Sequence, residues 1–412
     1  MVATILSNPI KDQFPALDQM VSGHPLAYLD SAATTQRPVA VLEAMEAFYR
    51  HDNSNVHRGI HSLSVRATDH YDDARRQIAR FVNASVPEEI VFTKGCTEAV
   101  NLVAQAWGRQ NLTQGDVIAV SEMDHHSNIV PWQVIAEATG ASIEPISVTQ
   151  KGELDISSLR AVLATGKVKL VAFKHVCNAI GTVNPVSEVA ELVSTHGATT
   201  LVDGAQALAH IDVDVQALGV DFYAMAGHKV YGPMGIGALF ARKELLEAMA
   251  PYQVGGGMIQ KVTLTSTTYA PVPEKFEPGT PNVPGAIGFA AALDWLSDSG
   301  KQRLWNLESE LAHQARERLQ SINGLRVIGS ARETAPIVSF VMEDAHPHDI
   351  GTVMDSEGVA IRAGHHCCQP LMDRMGVGST ARASFAAYST QEDVDALIRG
   401  AERVVEIFGG KC

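Results

Sequence analysis

The sequence predicts an α/β protein: a large, mostly parallel sheet in one domain and a smaller α+β domain after it. Three observations carry this. Six short apolar runs lie at residues 90–92, 117–120, 170–173, 200–202, 222–225 and 236–240. Their apolar residues fill consecutive positions, as in strands buried on both faces. Most are separated by segments of helix length, so the strands connect by crossovers and run parallel.

The elements follow in order. Residues 1–25 read as an arm with one short helix at 15–20. A helix follows Pro38, with Leu42, Met45, Ala47 and Phe48 apolar. Another covers 68–82, with Tyr71, Ile78 and Phe81 on the inner face and Asp69, Asp72, Arg75 and Arg76 on the outer. The six strands come next. From 251 to 284, Gly, Thr and Pro dominate, which predicts a long surface excursion. A helix at 286–297 leads to the second unit. That unit has helices at 305–322, 349–357 and 391–408 and strands at 325–328, 337–342 and 359–362. The expected division is an arm (1–25) packing with the small domain, a large domain (26–295) and a small domain (296–412).

The chain has 412 residues, enough for about two domains. Its 32 Lys and Arg against 46 Asp and Glu give a net charge of −14, which disfavours nucleic acid and anionic membranes as partners. No stretch approaches ~20 uninterrupted apolar residues, so no membrane span is expected. The start, from Met1 to Pro9, does not read as a secretory signal. Cys96, Cys177, Cys367, Cys368 and Cys412 are too few and scattered for a disulfide scaffold, which suits a reducing cytoplasm.

In parallel sheets, ligands sit at the carboxyl ends of the strands. Polar residues just after each apolar run are therefore the first candidates. Ala226-Gly227-His228-Lys229 follows one run. A lysine in apolar surroundings loses hydration, and its pKa falls toward the neutral amine that attacks an aldehyde; a surface turn is the plain alternative. Asp203-Gly204-Ala205-Gln206 follows another. A buried carboxylate there needs a cationic partner, such as a pyridinium nitrogen, or it caps the next helix. Thr93-Lys94-Gly95-Cys96-Thr97-Glu98 opens a helix near Glu98, and forms either an anion site or an ordinary cap. Met123-Asp124-His125-His126-Ser127-Asn128 offers a histidine to stack on a flat ring and move protons. Arg362 to Pro370 contains His365, His366, Cys367 and Cys368. Contiguous ligands do not converge easily on one tetrahedral ion, so no metal is expected, and a nucleophilic thiol is the better reading.

These motifs occur together and in chain order. With Tyr28-Leu29-Asp30-Ser31-Ala32-Ala33, Asn55-Val56-His57-Arg58-Gly59-Ile60-His61, Gly279-Thr280-Pro281-Asn282 and Arg382-Ala383-Ser384, they give the chain a nearly end-to-end resemblance to the pyridoxal-phosphate-dependent cysteine desulfurases. Within these it resembles the Suf-type group (group II), related to selenocysteine lyases. The resemblance implies an aspartate-aminotransferase-like fold (fold type I) and a homodimer. It implies conversion of L-cysteine to L-alanine, with a persulfide left for iron–sulfur cluster assembly and a small Suf-type protein as sulfur acceptor. Lys229 would hold the pyridoxal 5'-phosphate covalently, and His125 would stack on its ring. Asp203 would pair with the ring nitrogen and Gln206 with the phenolic oxygen. Thr97, His228 and a partner subunit's Thr280 would bind the phosphate. Asn178 and Arg382, with Arg362 as a further candidate, would hold the substrate carboxylate. Cys367 would be the nucleophile.

Cys367 lies five residue steps after Arg362, a tether of at most about 17 Å, so the thiol is expected to stay near the cofactor. Ala226, Cys96 and Cys368 depart from the family pattern, and Cys368 is expected to be inert. Two other enzyme readings are a selenocysteine lyase and a transaminase. A reading of another class is a non-catalytic thiol or metal carrier built on His365 to Cys368.

Overall fold

The computed structural model describes residues 10–409. Seven strands, β1 (Ile90–Thr93), β2 (Val117–Ser121), β3 (Ser142–Ile146), β4 (Val168–Lys174), β5 (Thr199–Asp203), β6 (Phe222–Ala226) and β7 (Gly237–Ala241), form one sheet in the order β1-β7-β6-β5-β4-β2-β3. Only β7 runs antiparallel to its neighbours. Every residue of β1, β2, β6 and β7 is buried. Alternate side chains enter two apolar layers. Val171 and Phe173 join one, while Leu170 and Ala172 join the other. This two-sided burial is why consecutive positions are apolar.

β3 is an additional strand at the sheet edge. In Ser142-Ile143-Glu144-Pro145-Ile146 only Ile146 is buried. A half-exposed edge needs no continuous apolar run and tolerates a proline.

The second sheet has four antiparallel strands, β8 (Leu325–Ile328), β9 (Ile337–Met342), β10 (Arg362–Gly364) and β11 (Thr380–Ser384), in the order β8-β9-β11-β10. Helices Lys301–Gln320 and Pro347–Ser356 pack on it, and Gln391–Phe408 packs on both of these helices. The strand expected at 359–362 is two pieces. Val359–Ala360 pairs in parallel with Ala27–Tyr28, and β10 then pairs with β11.

Three other expectations are corrected. The helix at 15–20 is replaced by two single 3-10 turns, Lys11–Gln13 and Pro15–Leu17. The arm's residues 1–9 and Cys412 lie outside the described residues. The helix expected from 68 begins earlier, spanning Ser62–Phe81. Its Arg75 is not on an outer face but is 6% exposed. The guanidinium meets both carboxylate oxygens of Glu277 at 2.7 and 2.8 Å and lies 4.7 Å from the centre of the Phe92 ring. Glu277 belongs to the excursion at 251–284, so this buried pair ties that segment down. The excursion also carries an exposed hairpin of Ile259–Val262 and Thr267–Tyr269.

Phe14 inserts among Tyr231, Trp295 and Tyr388, with ring centres 6.0, 5.3 and 4.8 Å away. The Trp295 indole N–H donates to Gln13 at 2.7 Å. No helix among the described residues is long and apolar enough to cross a membrane.

Candidate active site

The carboxyl ends of the parallel strands and the loops after β10 enclose a cavity of about 1080 Å³. β5 ends on Asp203 at its floor. One Asp203 oxygen accepts the Ala205 backbone N–H at 2.9 Å and the Cys96 thiol at 3.1 Å. Burial opposes ionisation here, but Lys174 and then Lys229 outweigh it and hold Asp203 below the usual carboxylate range. Lys229 sits on the 3-10 turn Gly227–Lys229, directly after β6. Burial lowers its pKa against the opposing pull of Asp203. Carboxylate and amine thus both line the cavity from adjacent strand ends.

Gly95 and the helix Cys96–Val103 form the next wall. Their close approach to the sheet requires Gly237, where a Cβ would lie 2.6 Å from the Gly95 Cα. The first turn of a helix carries unpaired N–H groups that suit an anion. Thr97 lines the cavity and shares a hydrogen bond with the Ser127 hydroxyl at 2.7 Å. His228 also lines it, and its ring pKa is pushed down to about 4 by burial, then by Lys229 and Arg37.

His125 follows β2. Its Nδ1 accepts the Ser127 backbone N–H at 3.0 Å, which puts the proton of the neutral ring on Nε2. Burial, then Lys174 and Lys229, push its pKa down to about 3. Gln206 lines the cavity and donates to the Ala32 carbonyl at 2.5 Å.

The opposite side comes from the second sheet. Arg382, on β11, is 2% exposed. Nη1 donates to the Asn178 carbonyl at 2.8 Å and Nη2 to Asp30 at 3.1 Å, while the buried Nε has no partner. An orphaned guanidinium N–H in a cavity wall fits an anionic ligand. Arg362 meets the other oxygen of Asp30 at 2.8 Å and is exposed on its outer side.

Cys367 is exposed at the cavity mouth. It and His366 both have positive φ, 55° and 53°. Two consecutive non-glycine residues in the left-handed region are unusual and need support. The support comes from the larger unit: His126 N–H donates to the Cys367 carbonyl and Asn178 Nδ2 to the His366 carbonyl, each at 2.8 Å. The His366 ring contacts the Thr380 hydroxyl at 2.8 Å.

Ten of the eleven candidate residues line this one cavity. Thr280 does not, and is exposed elsewhere on the chain. Sequence reasoning passed over Lys174, Asp30 and Ser127. Lys174 had a signal, since it is a lysine directly after an apolar run. Among the described residues, no group of three or more His, Cys, Asp or Glu is placed to hold a metal ion.

A lysine of lowered pKa and a buried aspartate in one cavity at the carboxyl edge of such a sheet fit an aminotransferase-like enzyme. Residues 27–397 match the aminotransferase class-V family, and the chain belongs to it. It is 51% identical to a probable cysteine desulfurase of Halalkalibacterium halodurans, over 98% of this chain and 99% of that one. It is 45% identical to a probable cysteine desulfurase of Vibrio cholerae, over 97% and 98%. Among solved structures it is similar to the cysteine desulfurase CsdA of Escherichia coli, with a TM-score of 0.90 and 39% identity over 97% of this chain and 98% of that one. It also matches the cysteine desulfurase of Thermococcus onnurineus, with a TM-score of 0.92 and 36% identity over 99% and 100%.

Proposed function

We propose that this chain is a pyridoxal-phosphate-dependent cysteine desulfurase that releases L-alanine from L-cysteine and keeps the sulfur as a persulfide on Cys367. The observation that carries the reading is one cavity holding the Lys229 amine, the buried Asp203 carboxylate and the exposed Cys367 thiol. The residues present fit pyridoxal phosphate. Lys229 offers an amine to its aldehyde, and Asp203 a carboxylate to its ring nitrogen. His125 offers a flat face, and Gln206 an amide near the phenolic oxygen. Thr97, His228 and the start of the helix Cys96–Val103 suit the phosphate, with Thr280 from a partner subunit completing the set.

When bound, the cofactor supplies a sink for electrons released at the substrate Cα. The protein's own part is positioning and proton traffic. Arg382 Nε and the Asn178 amide hold the substrate carboxylate, with Arg362 at the rim. With the cofactor bound, Lys229 Nζ would take the Cα proton and return it nearby. The ring of His125 is neutral at pH 7, so its Nε2 is a donor. The Cys367 thiol, giving up its proton, then attacks the substrate sulfur: a sulfur–sulfur bond forms, the substrate carbon–sulfur bond breaks with its electron pair left on carbon, and that carbon takes up a proton to leave as alanine.

The same reading includes a homodimer, a role in iron–sulfur cluster assembly and a small Suf-type protein as sulfur acceptor. It also includes a large unit (26–295) and a small one (296–412) as separate domains. The pinned Cys367 loop supports an acceptor that comes to the thiol.

The test is direct. Protein loaded with pyridoxal phosphate is reduced with borohydride and mapped by peptide mass, and turnover of L-cysteine to L-alanine is measured. A cofactor adduct on Lys229 is expected, together with alanine formation that Cys367→Ala abolishes. An unmodified Lys229, or full cysteine turnover by Cys367→Ala, overturns the reading.

A further inference from the structure

Lys174 is the last residue of β4 and is 2% exposed. It does not line the cavity, but sits behind Asn178, which does. Its Nζ donates to Asn178 Oδ1 at 2.8 Å and to Cys368 Sγ at 3.4 Å. The Cys368 thiol, itself fully buried, donates to the same Asn178 oxygen at 3.2 Å. Three side chains from β4, the turn after it and the Cys367 loop thus close a ring.

The donor inventory gives this ring a direction. A side-chain amide has one acceptor oxygen and two N–H donors, and can in general be placed either way round. Here two donors converge on one end of Asn178. Rotating the amide would face its NH₂ with an ammonium and a thiol, and would leave the His366 carbonyl without its donor. With Oδ1 held from behind, one N–H goes to the His366 carbonyl at 2.8 Å. No protein acceptor takes the second among the described residues, and Asn178 lines the cavity. The adjoining Asn178 carbonyl is bound by Arg382, so both groups suited to a carboxylate are built on this one residue.

We propose that Lys174, assisted by Cys368, is a positioning residue that fixes the Asn178 amide with one free N–H toward the substrate carboxylate, and so sets selectivity for amino acids with a free carboxylate. This rests on the cysteine desulfurase reading. It also accounts for Cys368: its thiol holds the amide and takes no sulfur. Asp203, its register partner on the next strand, is the ionised neighbour of the Lys174 amine.

The experiment compares L-alanine with L-alaninamide, which lacks the carboxylate, by calorimetric titration of the cofactor-loaded protein. In Lys174→Met, L-alanine binding should weaken about tenfold while L-alaninamide changes by less than about twofold, as for one misdirected hydrogen bond to a charged group. The KM for L-cysteine should rise by a similar factor and kcat should change little. Equal weakening of both ligands, or no change in either, overturns the proposal. Should Lys174→Met fail to fold, Cys368→Ala decides: about threefold weaker L-alanine binding with L-alaninamide unchanged supports it, and equal effects overturn it. Wild-type protein that binds L-alanine but forms none from L-cysteine overturns the reaction assignment alone.

Discussion

Lys174 is the register partner of Asp203 across two adjacent parallel strands. The carboxylate at the cavity floor therefore keeps a cationic neighbour when Lys229 is neutral. Its ionisation is a property of the fold rather than of the reacting amine. Asp203→Asn should leave the borohydride-trapped adduct on Lys229 intact and lower kcat by about 10²–10³-fold, the scale for removing one preorganised electrostatic group. Peptide mapping and alanine release on the same sample check both halves.

Arg382 reaches the cavity with its Nε uncommitted while its other nitrogens are tied to Asn178 and Asp30. A lysine has no such planar fork. Arg382→Lys should raise the KM for L-cysteine by about 10–100-fold, the equivalent of losing one charge-assisted hydrogen bond. Steady-state kinetics separates this from a loss in kcat alone.

The Arg75–Glu277 pair is a stability determinant remote from the chemistry. Both side chains are nearly inaccessible to water, at 7% and 8%. Breaking it with Glu277→Leu strands a buried guanidinium and should lower the unfolding free energy by about 3–5 kcal/mol. The double variant Arg75→Met/Glu277→Leu should lose less than the sum of the single changes. Denaturant titration measures both.

Stability should fall on the acid side because several histidines are held neutral. Burial, with nearby cations, lowers His175 and His228 to about 4 and His125 to about 3. An unfolded histidine titrates near 6.5. Below that value the unfolded chain binds more protons than the native one. The contribution is therefore complete above about pH 6.5 and is lost as pH falls toward the native values. His175, hydrogen-bonded to the Tyr223 hydroxyl at 2.8 Å, is the cleanest probe. His175→Gln should flatten the decline in thermal midpoint between about pH 6.5 and 4.

Asp124 acts in the opposite sense. Burial, eased by Lys174 and Asn128, raises its pKa to about 8. The native state then holds a proton that the unfolded state releases, so stability declines as pH rises from about 4 toward 8. Asp124→Asn should raise the thermal midpoint more at pH 8 than at pH 5.

Six strands of the large sheet were legible because burial on both faces writes a continuous apolar run. β3 and β11 were not: the first lies half-exposed at an edge, and the second, Thr380-Ala381-Arg382-Ala383-Ser384, mixes alanine with polar residues that face a cavity and a neighbouring strand. Helical periodicity put Arg75 outside because it registers polarity, and its partner lies 202 residues away. Lys174 was visible as a lysine directly after an apolar run, but its role was not. Its ring partner Cys368 is 194 residues distant, and only the folded chain joins them. Most site residues were readable because each follows an apolar run. Thr280 follows none, and its expected place needs a second copy of the chain.

The aromatic cluster around Phe14 has a thermodynamic corollary. Its rings come from the leading segment, from the body of the seven-stranded unit and from the loop after β11. Neither half can melt alone without stripping a ring from the others and wetting the indole of Trp295. Heating should accordingly produce a single calorimetric endotherm, with the fluorescence change of Trp295 tracking the heat absorbed.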